Sequence, residues 1–263
     1  MSDDPKPMLL VVDVGNTQTH FGTYRGTELV DHWRFATVRD ETADELAGKL
    51  ANLLALRGTA FADLDGAIVS STVPALGIEW AEVGRRYLDR ELVVVGAGLR
   101  TGMPIRIDNP RELGADRLVN AVAAYERIQD ACIVVDFGTA ITYDVVSEDG
   151  ALLGALISPG IEIALEALSA RAARLPRIDL VEPRSLIGKG TVDAIRNGVI
   201  YGYAGQVDGI VRRLRAELGA DTPTIATGGL AHVVVPHAET IDTVDDLLTL
   251  EGLRLIHGRN ASH

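Results

Sequence analysis

Short, unbroken apolar runs that stop at an aspartate are the most regular feature of the chain. Met8 to Val12 runs into Asp13-Val14-Gly15-Asn16-Thr17, and Ile133 to Val135 runs into Asp136-Phe137-Gly138-Thr139-Ala140. Runs of this length, rich in β-branched residues and broken by glycine, read as buried strands. A second strand-like segment follows each turn, Thr19 to Tyr24 and Ile141 to Val146, closed by turns at Arg25-Gly26 and Glu148-Asp149-Gly150. The order strand, Asp-x-Gly, turn, strand is thus written twice, half a chain apart. A repeat on that scale predicts duplication of a strand-first α/β lobe.

Further strands are expected at Ala67 to Ser70 and Leu92 to Val95 in the first half, and at Leu152 to Ile157 and Thr224 to Ala226 in the second. Helical periodicity falls between them. Thr42 to Leu56 carries Leu46, Leu50, Leu53 and Leu54 on one stripe, with Glu41, Asp44 and Glu45 near its start, where the helix dipole favours acids. Leu113 to Ile128, Ile161 to Leu175 and the long Val192 to Leu218 complete the set. Strands and helices alternating in this way predict helices packed on sheets. The long helix places Gly198, Gly202, Gly205 and Gly209 on one stripe. Each glycine costs about 1 kcal/mol against alanine inside a helix, so the stripe calls for close packing, either within the chain or across a subunit interface.

Composition supports two lobes. The chain has 263 residues, 47% hydrophobic and 24% charged, enough at about 150 residues per domain for roughly two. Cutting between the repeats gives an N-terminal lobe over 1–110 and a C-terminal lobe over 111–263. The single cysteine, Cys132, sits inside an apolar run and reads as a core residue. One buried thiol, no signal peptide and no span of about 20 apolar residues point to a cytoplasmic protein.

Charge narrows the partners. Twenty-five lysines and arginines face 37 acids, a net charge of −12. Such a surface disfavours nucleic acid and anionic membranes, which are bound through clustered cations. An anionic metabolite would have to be held locally, by backbone amides, a few selected cations or a metal ion.

The candidate chemistry lies in the turns. An aspartate ending a buried strand can hold a divalent ion directly or through water, and successive N–H groups in the following turn make an anion cradle. Asp13-Val14-Gly15-Asn16-Thr17 fits that description, and the second copy at Asp136 strengthens it. Two rival phosphate motifs fail. Gly188-Lys189-Gly190-Thr191 has Pro183 where a P-loop needs glycine, and Gly96-Ala97-Gly98 is followed by Thr101, Pro104 and Pro110 where a dinucleotide fold needs glycine and a helix. Gly114-Ala115-Asp116-Arg117 opens a helix. Asp116 reads either as a cap or as a base for a substrate hydroxyl, with Arg117 gripping a carboxylate. Thr227-Gly228-Gly229-Leu230 reads either as a plain turn or as a bed for a flat base. The six histidines show no zinc spacing, and His20 reads as structural.

Two Asp-x-Gly turns in related halves resemble the actin, sugar-kinase and chaperone ATPase superfamily. That likeness implies an α/β fold of two duplicated ribonuclease-H-like lobes with a cleft between them. The full motif set resembles the type III pantothenate kinases. It comprises Asp13 to Thr17, Asp108-Asn109-Pro110 with Gly114 to Arg117, Asp136 to Ala140, Ser158-Pro159-Gly160, Lys189 to Ile195, Thr227 to Ala231 and Leu248 to Leu253. The resemblance implies ATP-dependent phosphorylation of pantothenate to 4'-phosphopantothenate, the first step toward coenzyme A, by a homodimer.

It implies roles as well. Asp13, Val14, Gly15, Asn16, Thr17, Gln18, Thr19 and His20 would form the ATP phosphate loop, with Asp13 organising Mg²⁺. Thr139, Gly228 and Gly229 would also contact ATP. Gly114, Ala115, Asp116, Arg117 and Thr191 would bind pantothenate, with Asp116 the proton acceptor. Asp136 would ligate K⁺ or NH₄⁺. The chain departs from the common pattern at Ile107, Ile141 and Gly190, near the substrate and cation positions. Two alternatives use the same fold: a catalytically silent regulator, and a kinase for another small hydroxylated acid or a sugar.

Overall fold

The computed structural model describes residues 7–171 and 178–261. Most of the polar segment Met1 to Pro7, and residues 172–175 of the helix expected to run to Leu175, lie outside them. In chain order the elements are β1 (Met8–Val14), β2 (Gln18–Arg25), β3 (Glu28–Ala36), α1 (Ala43–Ala55), β4 (Leu64–Ser71), α2 (Pro74–Tyr87) and β5 (Val93–Val94). There follow α3 (Ala115–Ile128), β6 (Cys132–Phe137), β7 (Ala140–Val146), β8 (Leu152–Pro159), α4 (Ile161–Arg171) and α5 (Thr191–Leu218). The chain closes with β9 (Thr224–Thr227), α6 (Ala231–Val234), β10 (Thr243–Val244) and α7 (Leu248–Asn260).

The duplication expected from the two Asp-x-Gly runs is visible in the sheets. One has strand order β3-β2-β1-β4-β5 and the other β8-β7-β6-β9-β10. In each, three antiparallel strands come first and two parallel strands extend the other side. The same order and the same strand directions in both halves are what duplication of one lobe produces.

The chain divides into two compact units, but not by one cut. Residues 1–102, 109–123 and 248–263 make the first unit, and 103–108 with 124–247 the second. A single boundary at residue 110 assigns the start of α3 and all of α7 to the C-terminal lobe, whereas their contacts group them with the first sheet. The reason is packing: α7 lies against β1, β2 and β4.

In the first unit, one face of the sheet (Leu10, Val12, Val14, Phe21, Val69) forms a dry core with Leu46, Leu50 and Leu54 of α1 and Leu76, Trp80 and Val83 of α2. Helix α1 begins where expected: Thr42 accepts from the Glu45 amide while the Glu45 side chain accepts from Thr42, a complete capping box. Glu41, read as a first-turn acid, instead precedes the cap, is buried and pairs with Lys49. In the second unit Ile133, Val135, Phe137, Ile141 and Tyr143 pack on Ile161, Ala204, Val207, Val211 and Val234. Cys132 is buried as expected, and burial pushes its thiol up to about 12. No described helix is long and apolar enough to cross a membrane.

Five elements were not anticipated: β3, α2, α6, β10 and α7. β3 alternates exposed and half-buried positions, with Asp31, His32 and Arg34 among them, so its apolar signal is diluted by charge. α2 starts at Pro74, a good first helical residue. α7 contains Gly252, whose added Cβ would lie 2.2 Å from the Val119 carbonyl oxygen of α3. That contact makes a test, because two effects oppose. Helix propensity favours Gly252→Ala by about 1 kcal/mol, while overpacking against rigid backbone costs about 1–3 kcal/mol. We expect the clash to win, and thermal melts of Gly252→Ala should show a Tm several degrees below the parent; an unchanged or raised Tm would refute the packing.

Candidate functional site

Pairing fixes the neighbours of Asp13 in the first unit. Asp13 faces His20 on β2 and Ser70 on β4, and His20 in turn faces Arg34 on β3. Residues in register on neighbouring strands share a face, so Arg34, His20, Asp13 and Ser70 form one row. Ser70 Oγ donates to Asp13 Oδ1 at 2.5 Å. The row lies on the face opposite the α1 and α2 core, the side on which α7 packs.

Helix α7 then connects this face to α3. Gly252 lets the Val119 carbonyl approach, and Thr249 Oγ1 donates to Asn120 Oδ1 at 2.7 Å. The start of α3 thereby brings Asp116 close enough to influence Asp13. Burial pushes the Asp13 carboxyl up to about 7; the Ser70 hydrogen bond pulls it down, and the Asp116 charge adds to the rise. Asp13 keeps partial solvent contact, so the carboxylate is crowded by protein without being sealed off. At Asp116 the side chain turns back over the helix start: a Cβ on Gly114 would sit 2.5 Å from Asp116 Oδ1. Glycine at 114 is therefore what leaves room for that carboxylate.

The turn after Asp13 is a tight hairpin closed by Gly15 N–H donating to the Gln18 carbonyl at 3.0 Å. A Cβ on Gly15 would lie 2.8 Å from the Gln18 oxygen. Asn16 donates to Thr72 Oγ1 at 3.4 Å and accepts from Arg39 at 3.2 Å. Thr19 is buried and bonded to Thr37, Oγ1 to Oγ1 at 2.9 Å. His20 bonds His32 at 3.2 Å, and burial, then Arg34 and His32, lower its pKa to about 4, so it is neutral at pH 7.

The second unit builds a different setting around the same motif. Asp136 faces Thr142 on β7 and Thr227 on β9. The turn after β9 folds onto it: Gly228 has φ +95°, and a Cβ there would lie 2.4 Å from Asp136 Oδ1. The carbonyls of Gly138 and Thr139 press against Gly160, whose Cβ would fall 2.5 and 2.2 Å from them. Asp136, Thr139, Gly160 and Gly228 thus belong to one oxygen-rich cluster, with Gly229 beside it open to space. Thr191 begins α5, and Gly190 before it has room for a side chain.

Donor chemistry bears on the metals. Among the described residues no group of three His, Cys, Asp or Glu side chains gathers to hold a metal ion. A single crowded carboxylate with a hydroxyl beside it suits Mg²⁺, which keeps several waters and takes other oxygens from phosphates. Asp136 amid backbone carbonyls and threonines suits a hard monovalent cation.

Comparison with known proteins gives the family. The family model described as type III pantothenate kinase matches residues 9–213. The chain belongs to the type III pantothenate kinase family. A type III pantothenate kinase of Moorella thermoacetica is 49% identical over 253 residues, covering 96% of this chain and all of that protein. The fold is shared with solved structures. The activator of 2-hydroxyisocaproyl-CoA dehydratase from Clostridium difficile, with bound ADPNP, has TM-score 0.58 at 14% identity, covering 96% of each chain. A polyphosphate/ATP-glucomannokinase from Arthrobacter has TM-score 0.51 at 16% identity, covering 98% of this chain and 100% of that one. The α/β fold is thus that of the actin-like ATPases and sugar kinases.

Sequence reasoning missed Ser70, Thr72 and Arg39. The polar triplet Ser70-Ser71-Thr72 ending an apolar run was a local signal, but its place beside Asp13 depends on parallel pairing of β1 and β4. The raised Asp13 pKa yields a stability test. A group that binds its proton more tightly folded than unfolded stabilises the fold at low pH, and that contribution is lost as pH rises, here from about 4 to about 7. Asp13→Asn should therefore match the parent near pH 4 and exceed it by on the order of 1–3 kcal/mol, a few degrees in Tm, at pH 8 without metal. Calorimetry across pH measures the difference; a gap that stays constant with pH would refute the crowding.

Proposed function

We propose that this chain transfers the γ-phosphoryl group of ATP to the primary hydroxyl of pantothenate, giving 4'-phosphopantothenate for coenzyme A synthesis. The observation that carries the reading is the joining of Asp13 and Asp116, from distant parts of the chain, at the mouth of a glycine turn. A phosphate loop and a carboxylate for an acceptor hydroxyl are the two parts a small-molecule kinase must set side by side.

The Gly15 to Thr17 turn takes the phosphates, and Asp13 with Ser70 would hold Mg²⁺, which when bound would neutralise charge on the transferring phosphoryl group. Asp136, with Thr142 and Thr227 in its row, would hold K⁺ or NH₄⁺. Asp116 accepts the hydroxyl proton; set at a helix start, it works by position, as general bases of modest basicity do. Arg117 meets the substrate carboxylate, for which a planar guanidinium is matched bidentately. Thr139, Gly228 and Gly229 contact ATP, and Thr191 contacts pantothenate. A coupled assay should show ADP formation that requires pantothenate, Mg²⁺ and K⁺ together. Asp116→Asn should lower kcat by about 10²–10⁴ with Tm preserved. Turnover with sugars or other hydroxy acids in place of pantothenate would move the substrate assignment, and near-normal Asp116→Asn turnover would remove its role.

The working form is a homodimer. What supports this is the glycine stripe of α5, where a Cβ on Gly198, Gly202 or Gly205 would meet nothing within 4 Å. Close packing inside the chain is therefore not why these glycines are there. Apolar side chains lie exposed nearby in sequence, Val192 at 39% and Ile187 at 78%, and β8 is an edge strand with Leu156 and Ile157 exposed, a combination proteins usually cover. Light scattering should give the mass of two chains, and Gly202→Glu should give one; a monomeric parent would refute the dimer.

A further inference from the structure

The chain has a net charge of −12, and several of its cations are spent on its own acids. Arg86, Arg106, Arg127 and Arg215 each hold a carboxylate. Arg39 is exposed and, among the described residues, makes no ion pair. Among the described residues its hydrogen-bond partner is the neutral side chain of Asn16 in the glycine turn, where Nη2 donates to Oδ1 at 3.2 Å. An arginine has five donors, so this bond leaves most of the guanidinium fork unspent.

The position is built rather than accidental. Thr37 N–H donates to the Thr17 carbonyl at 2.9 Å, and the Thr37 hydroxyl bonds Thr19. Two residues beyond Arg39, Glu41 is buried, paired with Lys49, and bonded through its amide to the Val38 carbonyl at 3.3 Å. The connection between β3 and α1 is thus fastened on both sides of Arg39, and its first fastening is to the turn itself. Asn16 is held from the other side by Thr72, whose amide and hydroxyl both donate to the Val14 carbonyl, at 2.9 and 3.1 Å. Three separate loops converge on one neutral amide, and the charge they deliver there is a guanidinium.

We propose that Arg39 is a phosphate-binding cation of the nucleotide site, contacting the outer phosphates of the bound nucleotide over the Gly15 to Thr17 turn. This rests on the kinase reading of that turn and adds the counter-charge the acidic residues around it do not supply. A guanidinium matches phosphate oxygens with parallel hydrogen bonds, and such charge-assisted pairs are about twice as strong as neutral ones. Asn16 aims the group without neutralising it, as a carboxylate in its place would.

The test is equilibrium binding of Mg·ATP, Mg·ADP and adenosine to the full chain, its Arg39→Gln variant and its Arg39→Lys variant, with melts of each. Arg39→Gln should weaken Mg·ATP by about 10- to 100-fold, Mg·ADP by less and adenosine not at all, with Tm unchanged. Arg39→Lys should recover part of the loss, since charge returns without the fork. In turnover, KM for ATP should rise while KM for pantothenate moves less than about twofold. Equal weakening of all three ligands, or a loss tracking a fallen Tm, would make Arg39 a strut of the loop and overturn the proposal. A parent that discriminates these ligands yet turns over no pantothenate would sink the substrate reading and leave Arg39 standing.

Discussion

Two carboxylates from distant parts of the sequence, Asp13 at the end of β1 and Asp116 in the first turn of α3, are held where each feels the other. Like charges in a crowded setting oppose folding, so the surrounding structure must hold them together. The row through Ser70 gives Asp13 a donor, α7 clamps α3 to the sheet through Gly252 and Thr249, and Gly114 clears space for Asp116.

The duplicated lobes show how one motif takes two roles. Asp13 and Asp136 end equivalent strands in sheets of identical order. Asp13 has a serine and a second carboxylate for company, a high negative density that suits a divalent ion. Asp136 instead has Thr142 and Thr227 in its row and Gly228 folded against it. Neutral oxygens around one carboxylate suit a monovalent ion. The division of labour proposed for the two turns therefore follows from what pairs with each strand, not from the motif, which is the same in both.

That difference also marks what a sequence can disclose. The strands at both Asp-x-Gly turns, the capped start of α1 and the burial of Cys132 follow from local patterns, because a run of β-branched residues or a capping box stabilises its own conformation. β3 escaped because alternation through Asp31, His32 and Arg34 looks like a polar loop until Phe21 stacks on Trp33 at 4.9 Å. The grouping of α7 with the first sheet escaped because it depends on contacts spanning more than a hundred residues. Motif resemblance supplied Asp13 and Asp116 separately. Their company, and that of Ser70, Thr72 and Arg39, is set by parallel pairing of β1 with β4 and by the fastening of the β3 to α1 connection, neither of which has a local signature.

The acidic balance of the chain bears differently on approach and on occupancy. Far from the site, a net charge of −12 repels any nucleotide, though salt screens this beyond about 8 Å. Within the site proposed here, the groups that would decide affinity are few and local: the turn amides, a bound cation and the guanidinium of Arg39. Global charge therefore sets the encounter rate and local groups set the residence time. In the site proposed above, coordination of a divalent ion would roughly halve the charge of ATP, weakening the long-range repulsion and relieving the crowding of Asp13 at once. Both effects would favour the metal-loaded nucleotide over the free one.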